Sequence, residues 1–359
     1  MMRYRHWLAG LAVALTVLCQ ALPAHAVADT KLTPAPSDLN KYLPDNAAYL
    51  VRVNFQQMQK SELLKPYVGM LKEKLKSGDA QKHLEALGFD PLKDLGTLTV
   101  AGPVSKDFEQ HLVILTGKFN AEKFQKAAKE AAKKGGDEVL KLTKIGNYTV
   151  WEVSPPNTRA PAPSTYFITL VDENTILVTA GKKLLQDSLA KASGKKKTQL
   201  SKEIAPLIAK TDPKESVSVL VLTDAIAKAD FIPEKFAEKV KEEAEKFKFL
   251  RFGVLAKEDI KIKYIVGTKD EDTAKQIADQ VDQVKFIAPL ALAMVAGDPK
   301  KQKQLKPVMD AVKEVLNTLE TSTKGKSVHI ELTITKKLIE KIKDQAMKAK
   351  KNEEKKEDQ

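Results

Sequence analysis

"ILTGKFNAEKFQKAAKEA", residues Ile114 to Ala131, and "YIVGTKDEDTAKQIADQV", residues Tyr264 to Val281, decide how this chain is read. Laid together without a gap, Gly117 meets Gly267, and Phe124, Ala127, Ala128 and Ala131 meet Ala274, Ile277, Ala278 and Val281. Each stretch joins a strand end, a glycine, a polar capping position and an apolar stripe at helical spacing. A hairpin precedes each, "LGTLTVAG" with "HLVILTGKF" in the first half and "FLRFGVLAKEDIKIKYIV" in the second. A glycine turn follows each, "TKIGNYTVWEV" against "TSTKGKSVHIEL", and "VSVLVLT" (Val217 to Thr223) can stand for the earlier "AYLVRV". The recurrence predicts an α+β fold of two related units, each a mainly antiparallel sheet with helices packed on one face, because the strands alternate in polarity. Chance convergence of common strand and helix units is the competing explanation, since the match is of pattern more than identity.

Working outward, the boundaries fall at a signal peptide over 1–26, a flexible leader over 27–43 and a first unit over 44–194. A linker at 195–200 leads to a second unit over 201–347, with a helical insertion at 286–320 and a disordered charged tail at 348–359. Inside the first unit, "GFDPLKDLGTLTVAG" (Gly88 to Gly102) reads as a connector: Gly88 suits a helix end, Asp90 an N-cap and Pro91 the first helical position. Asn120 caps the next helix, Gly146-Asn147 and Asp172 to Asn174 close hairpins, and a helix spans Lys182 to Ala192. The four prolines of "SPPNTRAPAPS" predict a mobile surface loop. In "SVHIELTIT", Val328, Ile330, Leu332 and Ile334 should face inward and His329, Glu331 and Thr333 outward, with a last helix from about Lys336.

The first residues, "MMRYRHWLAGLAVALTVLCQALPAHA", combine Arg3 and Arg5, an apolar run from Leu8 to Leu18 and a small-x-small site at Ala24 to Ala26. They predict a cleavable signal peptide, cut after Ala26, and a secreted or periplasmic protein. The run is shorter than the roughly 18 to 20 residues of a membrane span, so no transmembrane segment is expected after cleavage. Cleavage would remove Cys19, the one cysteine, leaving a chain of about 330 residues that is stable by packing alone. It would also take the net charge from +13 to +11, the two arginines of the signal peptide being lost. The remaining excess is lysine, with only Arg52, Arg159 and Arg251 left. Lysine is a hydrated point charge without the arginine fork, so specific nucleic-acid binding is not expected. A loose attraction to an anionic polymer or to the envelope surface is.

Catalytic chemistry has little to draw on. There is no G-x-S-x-G elbow, and the histidines left after cleavage, His83, His111 and His329, are scattered. No His/Cys spacing suits zinc, and "KDEDT" and "VDENT" lack the ligand count of a calcium loop. "GKS" at Gly325 fails as a P-loop because Glu320 stands where the first glycine belongs. No catalytic residue, metal site or cofactor is therefore assigned. One stretch invites more: "FIAPLALAMVAG", Phe286 to Gly297, is apolar on all sides. It is either a core helix kinked at Pro289 or a lipid- or partner-facing helix, and Phe286, Ile287, Leu290, Leu292 and Met294 are the candidate apolar contacts.

Through "YLPDNAAYLVRVN", "LGFDPLKDLGTLTVAGP", "LTGKFNAEKF", "GNYTVWEV" and "ITLVDENTILVTAGKKLLQDSLAKA", the chain resembles a group of uncharacterised secreted bacterial proteins with a domain of unknown function. The resemblance covers much of the first half, thins in the second and implies no active residues. The expectation is a non-catalytic extracytoplasmic protein, binding or structural. A carrier of a hydrophobic or lipidic ligand is the alternative, favoured if an apolar pocket lies near Phe286 to Met294, and a hydrolase comes last.

Overall fold

Twelve strands form one sheet in the computed structural model, which describes residues 34–65, 89–135, 140–154, 163, 165–229, 234–296, 299–342 and 344. The proposed signal peptide, residues 27–33 of the leader, His83, Gly88, the Pro-rich loop between 155 and 162, Arg159 and the charged tail lie outside the described residues. In the first half come β1 (Tyr49–Asn54), helix α1 (Phe55–Gln59), a short helix α2 (Pro91–Asp94), β2 (Leu95–Gly102) and β3 (Leu112–Gly117). Helix α3 (Ala121–Gly135), β4 (Leu140–Ile145), β5 (Tyr148–Val153), β6 (Tyr166–Asp172), β7 (Thr175–Thr179) and α4 (Lys182–Ala192) follow. In the second half come α5 (Ile204–Ala209), β8 (Val217–Leu222), α6 (Thr223–Ala227), α7 (Glu234–Lys246), β9 (Phe247–Ala256) and β10 (Ile260–Thr268). Helices α8 (Glu271–Ala296) and α9 (Pro299–Leu316), strands β11 (Glu320–Lys324) and β12 (Ser327–Ile334), and a helix from 336 complete it.

The sheet order is β11-β12-β10-β9-β8-β1-β2-β3-β7-β6-β5-β4, antiparallel throughout. The halves meet at its centre, where β1 pairs with β8 and Val51 stands opposite Val219. The linker expected at 195–200 therefore does not separate two bodies. It is held by the Gln199 amide donating to Asp45 at 3.0 Å, and Leu200 packs on the core. β12 returns to β10 as β7 returns to β3, so the hairpin β11–β12 stands where β6–β7 stands, and not where "TKIGNYTVWEV" does.

Local chemistry produces the elements as the residues require. Asp90 accepts from the Leu92 amide at 3.0 Å, Pro91 opens α2, and Asp94 reaches back to the Asp90 amide at 2.6 Å. Asn120 accepts from the Lys123 amide at 3.0 Å, and Asp270 from the Thr273 amide at 2.7 Å. Gly146 turns the β4–β5 hairpin at φ +59, a left-handed conformation that costs glycine nothing.

Helices do not keep to one face. Successive residues of the central strands enter different clusters: Tyr49, Leu98, Val100 and Leu115 pack with Phe89, Phe119, Phe124 and Trp151. Leu50, Ala101, Leu112 and Ile114 pack on the other side with Leu185 and Leu189 of α4 and Ile204 and Ile208 of α5. All eight residues of β2 and all five of β7 are buried, as strands covered on both sides must be. The cover thins in the second half. Tyr264 is 44% exposed, and Ile330, Leu332 and Ile334 are only partly buried.

The leader is not flexible from residue 34 onward. Leu39, Tyr42 and Leu43 are buried in the second cluster, and the Ser188 hydroxyl and Lys191 ammonium of α4 donate to the carbonyls of Tyr42 and Leu43 at 2.8 and 2.9 Å. Lys191, whose side chain is fully buried, also meets Asp45 at 2.8 Å and Asp187 at 2.6 Å, and Lys196 pairs with both carboxylates. Burial alone would raise the Asp45 carboxyl, but hydrogen bonds from Lys191, the Gln199 amide and Lys196 bring it from 3.8 to about 2. Because the folded value lies below the unfolded one, this stabilisation is present above about pH 4 and is lost as pH falls toward 2. Asp45→Asn should therefore lower stability at pH 6 and make little difference near pH 2, measured by urea unfolding across that range. A difference independent of pH would contradict the assignment.

Candidate functional site

A second group of ionisable side chains comes together beside the β1–β8 seam. Arg52 stands opposite Thr99 on one side and Ser218 on the other, and Gly253 follows Ser218 in the next strand. These small neighbours leave room for a guanidinium that is almost wholly buried. It donates to the Pro34 carbonyl at 2.8 Å, and the Asn54 side-chain Nδ2 donates to the Pro213 carbonyl at 2.9 Å. Arg251 pairs with buried Glu215 at 2.6 Å, and a β-carbon on Gly253 would lie 2.3 Å from the Glu215 carboxylate. Two of the three arginines outside the proposed signal peptide thus lie around one glutamate. Burial lowers Arg52 to about 10 against the opposing charges of Glu215 and Asp212, and burial raises Glu215 against the pull of Arg251. The cluster joins β1, β8 and β9 from within the protein, which makes it a structural brace.

The two histidines among the described residues do not converge. His111 and His329 are six strand steps apart, about 29 Å at the usual sheet spacing. His111 is enclosed, with Nδ1 3.4 Å from the Tyr49 hydroxyl, and its pKa is lowered by burial. Among the described residues no three His, Cys, Asp or Glu side chains gather as a cation site would require.

The surface that departs from a sealed fold is the helical hairpin. Helix α8 leaves β10 at its Asp270 cap, buries Ala274 and contacts β10, β11 and β12. At 26 residues it is about 39 Å long, whereas the eight residues of β12 cover about 26 Å, so its distal part outruns the sheet. There Val284 is 45%, Phe286 75%, Ile287 57% and Leu290 66% exposed. Phe286 and Ile287 lie four and three residues before Leu290, which puts the three on one side of the helix. Leu292 and Met294 continue the helix, but their side chains are outside the described residues. The helix is continuous through Pro289, and of the two readings of this stretch the exposure of Phe286, Ile287 and Leu290 fits a helix that shows apolar side chains to solvent.

Helix α9 returns along α8 and is anchored at its base. The Thr318 hydroxyl donates to the Thr333 carbonyl at 2.8 Å and accepts from the Thr333 amide at 2.9 Å. Beside that base, Asp282 and Lys285 of α8 and Glu320, Ser322, His329 and Glu331 of the outer strands line an open groove of about 510 Å³. The Lys285–Asp282 pair (3.1 Å) and the Lys263–Glu331 pair (3.1 Å) border it. Burial, then Lys324, lowers His329 against the pull of Glu331. This groove is polar and is not the apolar pocket that the carrier reading requires. The sequence singled out the helix by its all-round apolarity but could not say whether a partner element covers it.

No protein family matches the chain, and no curated protein matches it. Among solved structures, "Structure of crystal form I of TP0453" is similar at a TM-score of 0.39 and 8% identity, over 88% of this chain and 96% of that one. A likeness of that size assigns neither a family nor a role.

The brace makes its own prediction. Glu215→Ala leaves the largely buried Arg251 without its ion-pair partner and removes the larger of the two opposing charges on Arg52, and should cost about 3 kcal/mol or more in urea unfolding. Glu243→Ala, on the exposed side of α7, should stay within about 0.5 kcal/mol. Equal effects would show that the cluster braces nothing.

Proposed function

We propose that the chain is a non-catalytic extracytoplasmic binding protein, built by duplication of one α+β unit, and that it meets its target through the α8–α9 hairpin. The observation that carries the contact surface is the exposure of Phe286, Ile287 and Leu290 on one side of a single helix. Three large apolar side chains left together in water weaken solubility without adding to the core, so they suit a contact made outside the fold. An extracytoplasmic location is supported by the signal-like first 26 residues.

Duplication is supported by parallel construction. A six-residue strand passes directly into a five-residue helix twice, Tyr49–Asn54 into Phe55–Gln59 and Val217–Leu222 into Thr223–Ala227. Helices α3 and α8 begin at positions that the gapless match aligns, Ala121 and Glu271, each after a side-chain cap. In the ladders Gly117 faces Leu95 and Thr268 faces Phe247, each partner being the first residue of its strand. The matched glycines are thus one residue out of phase, and each ladder shifts register at this point, at Leu95/Thr97 in the first and at Gly267/Thr268 in the second. The copies differ by the extra hairpin β4–β5 in the first and by the long helical hairpin in the second. The polar groove does not favour a lipid carrier.

The test is photo-crosslinking of the full chain in its own host, with the reactive residue at position 286 or 290 and, as control, at exposed Glu243. Adducts several-fold more abundant from 286 and 290 are expected. Equal yields from all three positions would contradict the contact surface.

A further inference from the structure

We infer that the α8–α9 hairpin docks on an anionic lipid surface, Phe286, Ile287 and Leu290 entering the headgroup boundary while the lysines of α9 meet the phosphates. The inference rests on the contact-surface reading above and names its target. Between Val284 and Lys306 the chain carries five lysines, Lys285, Lys300, Lys301, Lys303 and Lys306, against one carboxylate, Asp298. Four of them fall in the first two turns of α9, directly after the apolar helix. This is local and not a property of the whole chain: α7, "EKFAEKVKEEAEK", mixes the two signs almost evenly.

An exposed apolar stripe on one helix, followed in the chain by lysines at the start of the next, matches the two components of interfacial binding, shallow burial of side chains and attraction to anionic headgroups. Lysine suits this use, since headgroup attraction needs point charge and no forked geometry. No helix among the described residues is long and apolar enough to cross a membrane, so the hairpin would lie on the surface. A protein partner would have to present a groove for the stripe beside a dense acidic patch, and a second copy would bring lysines against lysines.

The experiment uses the chain from residue 27 onward, which keeps no cysteine, with Leu290→Cys carrying a polarity-sensitive fluorophore. It is mixed with vesicles of phosphatidylcholine alone or with about one-third phosphatidylglycerol. Expected are a blue shift and co-sedimentation on the anionic vesicles, at least about 30-fold tighter than on the neutral ones and reversed by high salt. Lys300→Glu/Lys301→Glu/Lys303→Glu should reduce binding to the neutral-vesicle level. Phe286→Ser/Ile287→Ser/Leu290→Ser should abolish it with unfolding unchanged, because the replaced side chains are exposed. Equal affinity for both vesicles, or none for either, overturns the inference, as does self-association that the serine variant abolishes. Protein adducts at position 286 without vesicle binding would refute the lipid target and leave the contact surface standing, whereas failure of both experiments removes both.

Discussion

The pairing of β1 with β8 holds this architecture together. From Tyr49 opposite Val221 to Val53 opposite Val217 the two strands form the centre of the sheet. The ladder is lengthened at both ends by the Asn54 amide donating to Ser216 and the Leu222 amide donating to Ala48, each at 2.8 Å. Without this pairing each half would present an open edge rich in valine and leucine, the kind of edge that proteins otherwise have to protect. With it, the free edges are β4 and β11, which carry lysines and threonines. The seam is also where a buried charge is tolerated: Ser218 and Gly253 give Arg52 space, and Glu215 and Asp212 supply the opposing charges.

Stability and exposure are divided unevenly across this frame. The first half is covered on both faces, with the leader and α4 tied by Lys191 into a fully buried contact. The second half has fewer deeply buried side chains, and there α8 runs past the end of the sheet. A contact surface can be placed in such a region without weakening the core, because side chains on the distal part of α8 contribute little to holding the sheet together.

Much of the local construction could be read from the residues because caps and turns act over three or four positions. Asp90 with Pro91, Asn120, Gly146 and the helix from Lys182 to Ala192 all stand where the sequence places them. What escaped depends on partners far apart in the chain. The alternation of "YLVRV" shows a strand but not that its neighbour lies 168 residues away, and the one-faced sheet overlooked "LGTLTVAG", which is apolar or small at nearly every position. Leu39, Tyr42 and Leu43 are a usable sign of burial, being three large side chains in residues 34–43, otherwise small, polar or proline. For the candidate surface, composition located the helix of Phe286 to Leu290, and only the length of α8 relative to the strands explains its exposure.

Native-state hydrogen exchange across the central strands tests the account most directly. The seam predicts that the amides of Leu50 to Val53 and of Ser218 to Val221 belong to one slowest class, exchanging together and only through global unfolding in a single transition. Rapid exchange in β8 while β1 stays protected, or a second half that unfolds in a separate earlier step, would contradict it.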